Sequence, residues 1–260
     1  MSSSPTTFSQ KGTTAFFTIG RPEAGNAMTW AMYDALVEAC DRVDADAGIR
    51  TFVIRASGGT FCTGTDISQF EGFRSREDGI AYERRLEACV ARLETVRVPT
   101  IAQVEGIAAG GGCAIALACD LRICTPDAKF GVPIARTLGN ALSFENTSRL
   151  VDHFGFGRAC SMLITGSFIG AAEAVSCGAV SKIAEPDRIK GVVEDFCAAI
   201  ERNAPLTIRA AKAALSALRE QHIGDPSRVA DAVADCYASD DFREGVSAFL
   251  AKRPPKFTGT

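Results

Sequence analysis

The chain is poor in the side chain most often used for proton transfer and metal binding at neutral pH: its 260 residues include two histidines, His153 and His222. Ten cysteines do not make up the lack. Cys40, Cys62, Cys89, Cys113, Cys119, Cys124, Cys160, Cys177, Cys197 and Cys236 are spread along apolar stretches without a C-x-x-C pair. The spacing of Cys113, Cys119 and Cys124 does not suit zinc, and no metal site is expected. Free thiols in a reducing compartment fit this distribution. Basic runs are also missing, and the formal net charge is −3, so nothing marks a nucleic-acid partner. No uncharged stretch reaches membrane-spanning length. The opening MSSSPTTFSQ has neither the apolar core of a signal peptide nor the arginines of a transit peptide. A soluble, cytoplasmic protein with no membrane partner is expected. The phosphate-binding G-x-x-x-x-G-K-[ST], a strand-linked G-x-G-x-x-G and the nucleophile elbow G-x-S-x-G are absent as well, which argues against those nucleotide and hydrolase classes.

What remains is an ordinary globular composition, 47% hydrophobic and 23% charged, long enough to bury a large core. TAFFTI (14–19) and RTFVIRA (50–56) read as strands. Between them Trp30, Tyr33, Leu36, Val37, Cys40 and Val43 recur at helical spacing. The alternation repeats from PTIAQVEG through GCAIALACD to DLRICT, which predicts an α/β core with largely parallel strands. After about residue 195 strand signals stop, and helices are predicted near 205–220, 225–239 and 241–252. The expected division is therefore a core over 1–195 and a helical region over 196–260. Leu206, Ile208, Leu215 and Leu218 give that region apolar faces suited to a subunit interface.

Three consecutive glycines, Gly110, Gly111 and Gly112, stand directly before the apolar helix in GIAAGGGCAIALACD (106–120). A backbone without Cβ atoms turns sharply and can be approached closely, and a helix N-terminus presents unpaired N–H groups. The segment SGGTFCTGTDISQF (57–70) follows strand 50–56, so Gly64 and Thr65 fall at a strand's carboxyl end, where α/β sheets place ligands. Amides near Thr65 and Gly111 can converge on one oxygen and stabilise an enolate or a tetrahedral oxyanion.

Through RPEAGNAM (21–28), GGTFCTGTDI (58–67), VEGIAAGGGCAIALACDLRI (104–123), AKFGVP (128–133), LITGSFIGAAEAVSCGAVSKI (163–183) and DDFREGVSAFLAKR (240–253), the sequence resembles the crotonase (enoyl-CoA hydratase/isomerase) superfamily over nearly its whole length. The resemblance implies a spiral of ββα repeats with a C-terminal helical trimerisation region, in homotrimers or dimers of trimers. It implies a coenzyme A thioester as substrate or ligand, with no covalently bound cofactor and with the thioester oxygen held by the Thr65 and Gly111 amides. For the CoA end it implies Ala24, Asp66 and Ile67, together with Phe249 and Lys252, the last two often from a neighbouring subunit. Ser68 stands where many members carry a lysine.

The resemblance also exposes a departure. Hydratases of the family hold water between two glutamates, and the matching positions here are Ala114 and Ile134. The glycine-rich helix start that follows in the family is replaced by GNALSFENTSRL (139–150). Glu145 in that segment is a candidate substitute base, although a glutamate in a first helical turn equally serves the helix dipole. Arg136 is read as a surface residue or an anion partner, and Asn140 as a turn residue or a group orienting water. Cys62 is read as a small buried side chain rather than a nucleophile. Asp66 is expected to hold its loop, and Tyr82 to line the acyl pocket. Two functions follow from the resemblance: an enzyme of the lyase or isomerase class that acts by enolate stabilisation with weak conventional hydration, or a non-catalytic acyl-CoA-binding or assembly subunit.

Overall fold

Alternating apolar side chains on the strands decide how the main sheet is covered. The computed structural model describes residues 5–222 and 227–260. In chain order the elements are β1 (Thr6–Lys11), β2 (Thr14–Ile19), α1 (Trp30–Ala45), β3 (Thr51–Ala56), α2 (Arg76–Glu94), β4 (Thr100–Val104), β5 (Ile107–Ala109), α3 (Gly111–Ala118), β6 (Leu121–Cys124) and β7 (Lys129–Gly131). They continue as α4 (Ile134–Thr137), α5 (Phe144–Phe154), α6 (Phe156–Thr165), β8 (Phe168–Gly170), α7 (Ala171–Ser176), β9 (Lys182–Ile183), α8 (Ile189–Arg202), α9 (Pro205–His222), α10 (Ser227–Ala238) and α11 (Asp240–Leu250). Short 3₁₀ turns lie at Pro22–Ala24 and Ile67–Phe70.

Six strands form a sheet in the order β1-β2-β3-β4-β6-β9, parallel except for the β1–β2 hairpin. Because successive strand side chains face opposite ways, Ala15, Phe17, Ile19, Phe52, Ile54, Ala102 and Val104 join the principal core with α1, α2 and α3. Phe16, Val53, Ile101 and Ile123 point the other way and are covered by Ile189, Val193 and Cys197 of α8. Both faces are buried, which is why these strands read as continuous apolar runs. A second sheet, β5-β7-β8, has three residues in each strand and lies beside the start of α3.

The expected boundary after residue 195 falls inside α8, and α8 packs on the main sheet. The architecture changes after that helix, where α9 begins at Pro205. Of the three C-terminal helices, α10 packs on α2 and α11 packs on the Ile67–Phe70 turn. The chain therefore brings its own C-terminal region to the loops that follow β3. All ten cysteines are free thiols. Among the described residues no helix is long and apolar enough to cross a membrane.

Candidate active site

Two chain segments are stitched together through their backbones. The Cys62 amide donates to the Ile107 carbonyl at 2.9 Å, and the Ala109 amide donates to the Cys62 carbonyl at 2.9 Å. Met28 and Asp66 flank Thr65 on its other side: Met28 N–H donates to Gly64 O at 2.8 Å and Asp66 N–H to Met28 O at 2.9 Å. This parallel bridge uses the Gly64 carbonyl and the Asp66 amide, and because the Thr65 N–H belongs to the same trans peptide as the Gly64 carbonyl, it points away from Met28. It has no protein acceptor among the described residues. The Gly111 amide, first in α3, is likewise unpaired among them, as helix geometry requires of a first-turn donor.

The glycines allow these amides to come together. A Cβ on Gly64 would sit 3.3 Å from Ala109 O and 3.6 Å from Gly111 N, so the two loops meet main chain to main chain. Gly110 has φ +51° and ψ −123°, a conformation suited to glycine. On Gly111 a Cβ would overlap the Tyr33 hydroxyl, and on Gly112 it would overlap the Cys62 backbone. Packing and amide exposure are both reasons for the run.

Behind the amides lies a buried chain of hydroxyls, Tyr33 Oη to Thr65 Oγ1 at 3.0 Å and Thr65 Oγ1 to Tyr82 Oη at 2.9 Å. Burial pushes both tyrosines well above the usual phenol range, so they are neutral groups that fix Thr65. Tyr82 and Thr65 border a cleft of about 520 Å³. One wall comes from Arg21, Ala24 and Ala27, a second from residues 63–67 with Phe70 and Tyr82, a third from Gly110 and Gly111, and the last from Pro133, Ile134, Thr137, Leu138, Asn140 and Phe249. The mouth is tied by an ion pair between Arg21 and Asp66 at 2.5 Å. Burial alone would raise the Asp66 carboxyl, but hydrogen bonds from Ser68 and Arg21 hold it below the usual carboxylate range.

The sequence-predicted residues divide between the cleft and other places. Thr65, Gly111, Ala24, Asp66, Ile67, Ile134, Tyr82 and Phe249 all line the cleft, with Phe249 supplied by the same chain. Ala114 is buried in α3 and is not a lining residue. Lys252, just beyond α11, is exposed with φ +52° and does not line the cleft either. Glu145 is outside the lining too: it occupies the first turn of α5, whose N-cap Ser143 accepts from Asn146 N–H at 3.2 Å. Asp66 holds its loop by capping the Ile67–Phe70 turn.

Sequence reasoning missed Glu83 and the functional place of Tyr237. Glu83 stands on the apolar stripe of α2 with Tyr82, Leu86, Val90 and Leu93, and is buried. Tyr237 Oη donates to its Oε1 at 2.5 Å and Ser143 N–H to its Oε2 at 3.0 Å. Burial pushes the Glu83 carboxyl up to about 7, opposed by those two hydrogen bonds and reinforced by Glu87 and Glu145. The available signal was a carboxylate at a position where helical spacing demands an apolar residue.

A pair of unpaired amides near the carboxyl end of a parallel strand and beside an apolar cleft is an arrangement that can accept a carbonyl oxygen. Residues 9–260 match the family model described as enoyl-CoA hydratase/isomerase, and the chain belongs to that family. It is 36% identical to a crotonyl-CoA hydratase of Syntrophomonas wolfei, with 92% of each chain covered. To a probable enoyl-CoA hydratase of Bacillus subtilis it is 32% identical, over 94% of this chain and 95% of the relative. Among solved structures, a methylmalonyl-CoA decarboxylase in complex with 2-nitronate-propionyl-CoA superposes with a TM-score of 0.90 at 25% identity, covering 99% of each chain. An enoyl-CoA hydratase/carnithine racemase from Magnetospirillum magneticum gives 0.79 at 30% identity, covering 100% of this chain and 97% of the other. The architecture is the α/β crotonase fold with C-terminal helices.

Proposed function

We propose that the protein polarises an acyl-CoA thioester by holding its carbonyl oxygen between the Thr65 and Gly111 amides, and that it stabilises the enolate formed when a proton leaves the α carbon. Electrons from the broken C–H bond move to the thioester oxygen, which in this reading the two amides hold. The observation that carries this reading is the pair of unpaired amides on one apolar cleft. Removing one such donor typically costs ~100-fold or more in rate. Ala24, Asp66, Ile67 and Phe249 serve the CoA end at the mouth, with Lys252 as a nearby cation for phosphate. In this reading Ala114 and Ile134 occupy the positions of the glutamate pair that hydratases use.

The same wall argues for weak conventional hydration. Asp66 is the only carboxylate among the described residues lining the cleft, and Arg21 and Ser68 already occupy it. A general acid or base contributes ~100-fold to 10,000-fold each, so hydration of crotonyl-CoA should be slow by at least one such factor. Proton transfer then passes through water admitted to the cleft. A non-catalytic acyl-CoA-binding or assembly subunit is the second reading, and the lack of a free carboxylate on the wall favours it.

Two measurements separate them. Exchange of the butyryl-CoA α-proton in heavy water, followed by NMR, should exceed the rate without protein, while crotonyl-CoA hydration followed by absorbance stays slow. Binding with neither reaction supports the subunit reading. Hydration at ordinary enzyme rates contradicts the assignment of the wall.

A further inference from the structure

The residues carrying the two donor amides meet a single side chain from behind. Tyr33 stands in the first turn of α1, and the start of that helix is registered on the segment after β3. Met28 bridges Gly64 and Asp66 through the backbone, and the Trp30 N–H donates to Gln69 Oε1 at 2.8 Å. Tyr33 is fully buried, and the one hydrogen-bond partner of its hydroxyl among the described residues is Thr65 Oγ1 at 3.0 Å. A buried phenol needs an acceptor for its proton, so Tyr33 donates to Thr65.

The same oxygen rests against the other loop. A Cβ on Gly111 would stand 2.3 Å from Tyr33 Oη, but 3.4 Å from Thr65 Oγ1 and 3.6 Å from Tyr33 Cζ, so the hydroxyl alone fills the space where a side chain would begin. Tyr33 belongs to the principal core, with its ring 5.5 Å from that of Trp30, and close packing keeps the hydroxyl from swinging aside. Tyr82 differs: its hydroxyl meets Thr65 Oγ1 but is not among the three atoms nearest that Cβ.

We propose that Tyr33 is a positioning residue: its hydroxyl is a strut between the two loops that sets the spacing of the Thr65 and Gly111 amides without touching the thioester. This inference rests on the acyl-CoA reading above and deepens it. Donors fixed in advance act only at the distance the oxygen requires, and a misplacement of about 1 Å can cost about 100-fold in rate. Phenylalanine at this position keeps the ring and removes the strut. Thr65 Oγ1 would still have Tyr82 Oη, so no polar atom is stranded.

The test uses butyryl-CoA with a heavy carbon isotope at the thioester carbonyl, read by NMR in saturated complexes, with affinities from calorimetry. Tyr33→Phe should bind within about 3-fold of the native protein yet lose about half or more of the downfield movement that the native protein gives the carbonyl resonance. In Gly111→Ala the new methyl meets the hydroxyl, and nearly all of that movement should vanish. Adding Tyr33→Phe to Gly111→Ala removes the overlap and should restore the movement to the level of Tyr33→Phe alone, whereas adding Tyr82→Phe should restore none. If Gly111→Ala does not fold, recovery of a folded, ligand-binding protein in the first double variant and not in the second is the same result. A native-sized movement in Tyr33→Phe overturns the inference, as does an affinity loss beyond about 10-fold, which would mean general loss of packing. So does a double variant with Tyr33→Phe that is no better than Gly111→Ala, or equal rescue by Tyr82→Phe. An unmoved resonance in the native complex is a separate result, and it refutes the polarised-thioester reading itself.

Discussion

Glu83 carries a cost that depends on pH. Its carboxyl is pushed up to about 7 in the fold, above the ordinary value near 4.5. The folded chain therefore holds this proton more tightly than the unfolded chain does. That contribution is complete below about pH 4.5 and is lost as pH rises through about 7, with a span on the order of 3 kcal/mol. Urea denaturation between about pH 5 and pH 8 should show the native protein losing stability relative to Glu83→Gln as pH rises; parallel curves would refute the assignment. At this scale the sequence was only partly legible. The amide donors at Thr65 and Gly111 could be named because glycine spacing reveals backbone exposure. Glu83 and Tyr237 lie 154 positions apart and meet only through tertiary packing. Tyr33 was visible as part of a helix face, but the meeting of its hydroxyl with Thr65 and Gly111 was not.

At the scale of elements, the start of α3 is held from its far end. α3 has eight residues, and Arg122 donates to the Ala116, Leu117, Cys119 and Asp120 carbonyls at its close, and to Ala179 across the β6–β9 edge. A buried guanidinium there meets the negative end of the helix dipole and donates to carbonyls that the helix leaves open at its end. Lysine has three donors and no fork, so Arg122→Lys should cost about 2–4 kcal/mol of stability in thermal or urea unfolding, and a loss within about 0.5 kcal/mol would contradict the capping role. The contact between α2 and α10 is just as tight: a Cβ on Gly79 would overlap the Tyr237 ring. Gly79→Ala should cost about 1–3 kcal/mol and, by displacing Tyr237, remove its bond to Glu83. The pH slope described above would change in that variant, whereas a helix-propensity effect alone would stabilise and leave the slope intact. Helix α1 was readable from its period, and strands β2, β3 and β4 from short apolar runs, since both faces of the sheet are buried. The strands β5, β7 and β8 were not, because three residues carry no period. β1 also passed unnoticed: Thr7, Ser9, Gln10 and Lys11 lie on a sheet edge where polar residues are permitted.

For the whole molecule, the open question is what covers α9. Leu206, Leu215 and Leu218 are 73%, 66% and 54% exposed, too much apolar surface on one helix to be incidental. We expect a homotrimer or a dimer of trimers by light scattering, and a shift to smaller species in Leu215→Glu; a monomer at micromolar concentration would refute this. The α/β alternation and the all-helical end were legible along the chain. That α11 delivers Phe249 to its own cleft was not, because the path of a helix after a turn depends on what it packs against. The central claim is that the Thr65 and Gly111 amides polarise a thioester carbonyl. It is tested most directly by NMR of butyryl-CoA carrying a heavy carbon isotope at that carbonyl. The account predicts a downfield movement of the carbonyl resonance on binding, since donors that draw electron density to the oxygen deshield the carbon. A carbonyl resonance unmoved in a saturated complex would contradict it.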